Sequence, residues 1–176
     1  MVSASTYMLV FRILHVLGAI AWGGAVFLLV FFLQPTAKAI GPAAGPFMRE
    51  LLGNRRLTNV ILWIAGVTIV AGGFLYWHYV DVAGGLGSFL ETAFGLWLAI
   101  GAISALVAFS IGLFVTRPTL ARATTVGAQI AAAGDAPPPE LVQELQRLQA
   151  RGRTLAIMNF TFVAIAAFAM ATARYW

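Results

Sequence analysis

Four long stretches of apolar residues dominate the sequence and restrict what this chain can fold into. They cover residues 13–33, 57–80, 93–115 and 155–173. A helix needs about 20 apolar residues to cross a hydrocarbon core of roughly 30 Å, and each stretch approaches or exceeds that length. Hydrophobic residues make up 61% of the chain and charged residues only 10%, whereas about a quarter of an ordinary globular domain is charged. The pattern predicts an all-α integral membrane protein.

The predicted architecture is a four-helix bundle in a single transmembrane domain, residues 1–176. Its spans are expected at about residues 7–33, 57–83, 92–116 and 154–173. Helix 1 is predicted to end at the Gln34-Pro35 step, because proline disfavours helical geometry in the residue before it. Beyond span 3, Leu141, Leu145 and Leu148 recur at helical spacing after a triple proline. Helices 3 and 4 are therefore expected to extend as a cytoplasmic helical hairpin, with its tip at residues 134–139.

Basic residues concentrate in two of the three connections between the spans. The connection between helices 2 and 3 carries Asp81 and Glu91 and no Lys or Arg. Because basic residues are retained on the cytoplasmic side, both termini and this loop are predicted outside, with connections 1–2 and 3–4 in the cytoplasm. The chain is expected in the cell (inner) membrane as a multi-pass protein, with the lipid bilayer as its partner. This distribution accounts for the net charge of +5, and no nucleic acid is expected to bind.

The sequence contains only two histidines, and each lies inside an apolar stretch, His15 in the first and His78 near the end of the second. An ionisable side chain within a span is a functional-site hypothesis by default. At 1.5 Å per residue, His15 lies roughly 13 Å and His78 roughly 8 Å below the outer ends of their helices. Both are therefore predicted in the outer half of the membrane. Cysteine is absent, which excludes thiolate metal sites and disulfides.

Two imidazoles on facing helices of a bundle are a recurrent way to hold haem. The sequence therefore predicts haem b, with His15 and His78 as axial iron ligands and with redox chemistry or electron transfer as the function. A quinol or an external redox protein would be the electron partner, and the sequence allows a homo-oligomer. The other residues predicted at the cofactor are two arginines that would pair with the propionates, two small residues that would make room for the ring and two aromatic residues beside it: Arg12, Arg174, Gly18, Ala19, Trp22 and Phe74.

Each of these features also has an interpretation without a cofactor. His15 and His78 could form structural hydrogen bonds within the bundle, Arg12 could extend to the lipid headgroups, and small residues in lipid allow close helix contact. Copper is a further alternative, since imidazole and thioether ligands suit Cu(I). Its predicted ligands are Met8, His15, His78 and Met170. A third alternative is a cofactor-free scaffold whose cytoplasmic hairpin docks a partner.

Two segments resemble a known group of membrane proteins. Residues 14–24 read LHVLGAIAWGG and are followed by Pro35, and residues 170–175 read MATARY. The first resembles helix 1 of the CopD-like membrane proteins, a group that includes small DUF2269-type proteins and is similar to the HemJ-type protoporphyrinogen oxidases. The second resembles the closing segment of the small members.

The resemblance implies a four-helix membrane fold whose helix 1 histidine binds haem b, or copper in the CopD branch. His15 is the residue that matches this ligand. The chain departs from the HemJ-type pattern in helix 3, which here has no histidine and no internal charge, so protoporphyrinogen oxidase activity is not carried over. His78 matches no motif of the group, and its predicted role rests on helix geometry alone.

Overall fold

A computed structural model describes residues 4–134 and 136–176, and these residues form helices and no strand. Four long helices are labelled α1 (Ala4–Leu28), α2 (Leu57–Val82), α3 (Ala93–Ser110) and α4 (Pro139–Thr172). With the helical segments that continue them, all four are long and apolar enough to cross a membrane. The all-helical class and the number of long apolar helices agree with the prediction.

Helix 1 does not end at the Gln34-Pro35 step, so this prediction is wrong. A π-helical turn at Leu29–Leu33 follows α1, and the chain continues as an α-helix through Gln34–Ile40. The backbone N–H of Gln34 bonds to the carbonyl of Leu29, five residues back. Proline lacks an N–H donor, and its ring clashes with a carbonyl in the preceding turn. The wider π-helical turn changes that hydrogen-bond register, which lets the helix pass through the proline.

A π-helical turn that precedes a proline also occurs after α3. A π-helical turn at Ile111–Thr116 follows α3, and an α-helix at Arg117–Ala132 continues it with Pro118 in its first turn. Here the N–H of Arg117 bonds to the carbonyl of Gly112. In both continuations the π-helical turn ends two residues before a proline, at Leu33 before Pro35 and at Thr116 before Pro118.

The connections between the long helices are short or themselves helical. Between α1 and α2 the chain forms the segments Gly41–Ala44, Gly45–Arg49 and Glu50–Asn54. Between α2 and α3, Gly84 and Gly85 adopt positive φ angles of 80° and 131°, which glycine tolerates without a steric penalty. A short helix at Leu86–Leu90 follows, and the side chain of Thr92 caps α3 by accepting a hydrogen bond from the N–H of Gly95.

The bundle consists of two closely packed pairs, α1 with α2 and α3 with α4. The pairs meet in a core of Trp22, Val26, Ile61, Ala65 and Ala108. We call the end where α1 begins and α4 ends the terminal end of the bundle. The opposite end, where Arg55, Arg56 and Arg117 lie, is the basic end.

Past Thr116, the Arg117–Ala132 segment packs along the first part of α4. Arg122 donates two hydrogen bonds to the Glu144 carboxylate, at 2.7 and 3.1 Å. The hydrogen bond from Arg122 lowers the pKa of Glu144. The pair therefore favours the folded state at neutral pH, and its contribution is lost as the pH falls through that lowered pKa. Of the predicted hairpin tip, Asp135 lies outside the described residues.

Glycine sets the distance between α3 and α4. A Cβ atom on Gly101 would lie 2.7 Å from Cγ of Met170 and 3.2 Å from the carbonyl oxygen of Ala166. Helices in lipid associate largely through such close packing of small residues. The contact explains why this position, in the middle of a span, lacks a side chain.

We expect Gly101→Val to destabilise the protein, because the added side chain would separate α3 from α4. Overpacking of this kind costs about 1 to 3 kcal/mol. The matched control is Gly73→Val on α2, where a Cβ atom would meet no atom within 4 Å. Reversible unfolding in detergent measures both, and an equal loss of stability in the two variants would contradict this role of Gly101.

Candidate functional site

His15 lies at the contact between α1 and α2. Its Nδ1 is 2.8 Å from the backbone carbonyl oxygen of Thr68, so the imidazole joins the two helices. The hydroxyl of Thr68 bonds to the carbonyl oxygen of Ile64 on its own helix, at 2.8 Å. His15 therefore contacts the backbone carbonyl of Thr68 on α2. The Thr68 hydroxyl forms its hydrogen bond within α2 and not with His15.

Two glycines make this approach possible. A Cβ atom on Gly72 would lie 2.7 Å from Cε1 and 2.8 Å from Nδ1 of His15, so the imidazole occupies the space that a side chain would need. One turn after His15, a Cβ atom on Gly18 would collide with Oγ1 of Thr68. Gly18 thus faces α2 across a close contact, and the space beside it is filled by Thr68.

The hydrogen bond determines which nitrogen of His15 carries the proton. A carbonyl oxygen can only accept, so Nδ1 must donate, and in the neutral ring Nε2 then keeps its lone pair. No residue among those described forms a hydrogen bond with Nε2. Histidines that bind metals usually have this arrangement, in which one ring N–H donates to a backbone carbonyl and the other nitrogen is the ligand.

His78 lies on a different part of α2. It follows Gly72 by six residues, which is about 9 Å along the helix and about 120° around it. Its ring is half-buried and lies 6.0 Å, between centroids, from the neighbouring Tyr79. His78 therefore lies on a different face of α2 from the one that His15 contacts.

The residues predicted around the cofactor are dispersed. Arg12 is exposed, and its Nη2 donates to the hydroxyl of Tyr79 at 3.1 Å. Phe74 packs in a ring cluster, 4.6 Å from Phe11. Arg174 is also exposed, and it donates to the hydroxyl of Tyr175 at 2.6 Å. Arg12 and Phe74 thus belong to the same helix pair as His15, whereas Arg174 follows α4 at the terminal end.

Trp22 and Ala19 do not form a wall beside His15. Trp22 is only 5% exposed and lies in the core, about 10 Å along α1 from His15 at 1.5 Å per residue. Ala19 is exposed on the outer surface of the bundle. Of the small and aromatic residues that the sequence predicts at the site, Gly18 is the one that lies against the same part of α2 as His15.

Two of the predicted copper ligands, Met170 and His15, lie in different helix pairs. Met170 packs against Gly101 between α3 and α4, whereas His15 lies between α1 and α2. Across residues 4–134 and 136–176, no group of three or more His, Asp or Glu side chains is placed to hold a metal ion.

Sequence reasoning did not identify Thr68 and Gly72 as parts of the site. Gly72 belongs to a pair of adjacent glycines within a span, which is a visible signal for close helix contact. Thr68 gives no comparable signal, because its role depends on the backbone carbonyl and not on the side chain.

Comparison of the chain with protein-family models, with curated proteins and with solved structures finds no match.

We expect His15 to be the Nδ1-protonated tautomer, since Thr68 offers an acceptor to that nitrogen only. Nitrogen-15 NMR of protein labelled at histidine distinguishes the tautomers, and the His78→Gln variant leaves one ring to observe. Gly72→Val should abolish the preference by displacing the ring, while Gly73→Val should preserve it. An Nε2-protonated His15 in the unaltered site would contradict the assigned hydrogen bond.

Proposed function

We propose that this chain is a b-type haem protein of the membrane in which Nε2 of His15 would bind the iron. The observation that supports the proposal is the hydrogen bond between Nδ1 of His15 and the Thr68 carbonyl, 2.8 Å long. It holds the proton on Nδ1 and leaves the Nε2 lone pair available, as a ligand requires. The resemblance of residues 14–24 to the CopD-like proteins favours the same residue.

In this proposal the chain binds and orients, and the cofactor supplies the redox chemistry, which for haem iron is one-electron transfer. Thr68 fixes the rotation of the imidazole, and Gly72 provides the space in which the ring lies. Gly18 permits the close approach of α1 and α2 that holds both in place. Because α1 and α2 are in contact at Gly18, we do not expect the macrocycle to lie between them at this level.

His78 remains the predicted second ligand, but its place on α2, about 9 Å from Gly72 along the helix, gives it no contact with His15. A quinol or an external redox protein remains the predicted electron partner, and a homo-oligomer remains an expectation. None of these is needed for the role of His15.

We expect protein purified from a haem-replete host to show a Soret band that shifts on reduction with dithionite. His15→Ala should abolish haem retention, because it removes the ligand, and should leave membrane insertion intact. His78→Ala tests the predicted second ligand. If His78 is the second ligand, this variant should convert the iron to high spin while some haem remains.

Unchanged haem content in His15→Ala would remove His15 from the site. A colourless preparation that contains copper would favour the copper alternative, and one with neither would favour the cofactor-free scaffold. Metal analysis by mass spectrometry, together with the absorption spectrum, separates these outcomes.

We further propose the orientation that the basic residues favour. In it the terminal end of the bundle faces outward, and the basic end lies in the cytoplasm with the extension formed by Arg117–Ala132 and the first part of α4 as a helical hairpin. Arg55, Arg56 and Arg117 support the proposal, because they flank the basic ends of α2 and α3, and basic residues near span ends are retained in the cytoplasm.

The absence of cysteine allows a direct test of this orientation. Ser88 and Gln146 are both exposed, the first between α2 and α3 and the second in the extension. A membrane-impermeant maleimide should label Ser88→Cys on intact spheroplasts, and should label Gln146→Cys only after permeabilisation. The reverse pattern would contradict the proposed orientation.

A further inference from the structure

An elongated, partly open cavity of about 100 Å³ lies between the helices in the half of the bundle nearer the basic end. Trp22, Ala65 and Ala108 line its inner part, and Met48 and Leu120 line the part nearest the basic end. From Ala108 to Leu120 the lining extends about 18 Å, at 1.5 Å per residue. All four long helices, with their continuations, and the connection between α1 and α2 contribute to its wall.

Three polar atoms in this wall are buried and have no hydrogen-bond partner among the described residues. They are Oε1 of Gln34, Oγ1 of Thr116 and Oδ1 of Asn159, and all three residues line the cavity. They come from the continuations of α1 and α3 and from α4. Asn159 is only 8% exposed, and its Nδ2 already donates to the carbonyl of Ala108 at 2.7 Å.

The π-helical turns that continue α1 and α3 both lie beside this cavity, as does a third π-helical turn at Glu50–Asn54 through Leu52. Gln34 directly follows the turn at Leu29–Leu33, and Thr116 is the last residue of the turn at Ile111–Thr116. A π-helical turn inserts one residue, and such turns occur frequently at functional sites. The inserted residues rotate the following positions relative to α1 and α3, so the turns help to determine where these two polar side chains point.

The chemistry of the three atoms restricts what can bind. The carbonyl oxygens of Asn159 and Gln34 only accept hydrogen bonds, while a hydroxyl both donates and accepts. A bound molecule must therefore be a hydrogen-bond donor. No Asp or Glu lines the cavity, and Arg117 follows Thr116 directly, so a cation is disfavoured.

The size of the cavity agrees with a small donor. One water molecule takes about 30 Å³ in the liquid, and buried water typically bonds to polar groups that lack other partners. A cavity of about 100 Å³ therefore has room for several water molecules. A drug-sized organic ligand needs roughly 300 Å³ or more.

We propose that this cavity is a hydration site that carries a short chain of water molecules from the basic end to the middle of the bundle. Gln34, Thr116 and Asn159 bind the water. The chain ends near Ala65, which is three residues, or about 4.5 Å along α2, from Thr68. It therefore gives solvent and protons a route from the basic end toward the level of the helix contact that holds His15. The proposal does not depend on whether haem binds there.

Radiolytic footprinting of the full chain in lipid nanodiscs tests the proposal, because X-rays convert bound water into hydroxyl radicals that oxidise adjacent side chains. Trp22 should be oxidised although it is only 5% exposed. The internal control is Met158, which adjoins Asn159 in sequence but is 43% exposed on the outer surface of the bundle and faces lipid. Protection of Trp22 to the same degree as Met158 would overturn the proposal.

A pair of threonine variants gives a second, independent readout. Thr116→Val removes a hydroxyl that lines the cavity, whereas Thr119→Val removes a buried hydroxyl that bonds to the carbonyl of Val115 at 2.7 Å and lies outside the lining. With water bound, Thr116→Val should lower the thermal midpoint and reduce the oxidation of Trp22 at least twofold. Thr119→Val should leave that oxidation unchanged.

If the cavity is dry, Thr116→Val should change the thermal midpoint in the opposite direction. The variant would then remove an unpaired buried hydroxyl, and the thermal midpoint would rise while the oxidation of Trp22 stayed at background. That result would overturn the proposal. A general loss of packing in the variant would lower the thermal midpoint. It therefore cannot be mistaken for a dry cavity, which would raise it.

Discussion

The contact between α1 and α2 at His15 is the interaction on which the rest of the candidate site depends. In a hydrocarbon environment there is no water to satisfy a polar group, so an imidazole must find its partner within the bundle. His15 does so on the backbone of the facing helix, at the carbonyl of Thr68. The contact requires two glycines, Gly18 and Gly72, because a side chain at either position would fill the space that the contact uses. One hydrogen bond thereby fixes the distance between the helices, the rotation of the ring and the position of its proton.

Composition and periodicity predicted the class of the fold, because membrane spans need long apolar runs and nothing else in the sequence competes with that signal. They failed at Pro35, where the expected end of helix 1 rests on α-helical hydrogen bonding. The π-helical turn at Leu29–Leu33 changes that bonding, and its one extra residue leaves no mark in an apolar sequence.

The site was predictable only in part. His15 stands out because an imidazole in a span is rare, but its partner is a backbone carbonyl, which every residue has. Gln34, Thr116 and Asn159 are single polar residues far apart in the sequence, and each alone looks like an ordinary helix position. Only packing shows that they line one cavity. His78 illustrates the opposite case, since its depth along α2 could be estimated from the sequence, whereas the face that it occupies depends on how α2 rotates against α1.

The close contact at His15 and the cavity both follow from a change in helix packing along the bundle. Toward the terminal end, Gly18 and Gly72 let α1 and α2 approach closely. Toward the basic end, Trp22 and Ile61 occupy the interface, and the π-helical turns widen α1 and α3 at Leu29–Leu33 and Ile111–Thr116. The helices are in close contact near the terminal end and are wider at the π-helical turns. They therefore cannot pack uniformly along their length, and space remains between them near these turns. In a bilayer that space is stable with polar walls only if donors fill it, so the geometry that holds His15 rigidly also creates a place for water deeper in the bundle.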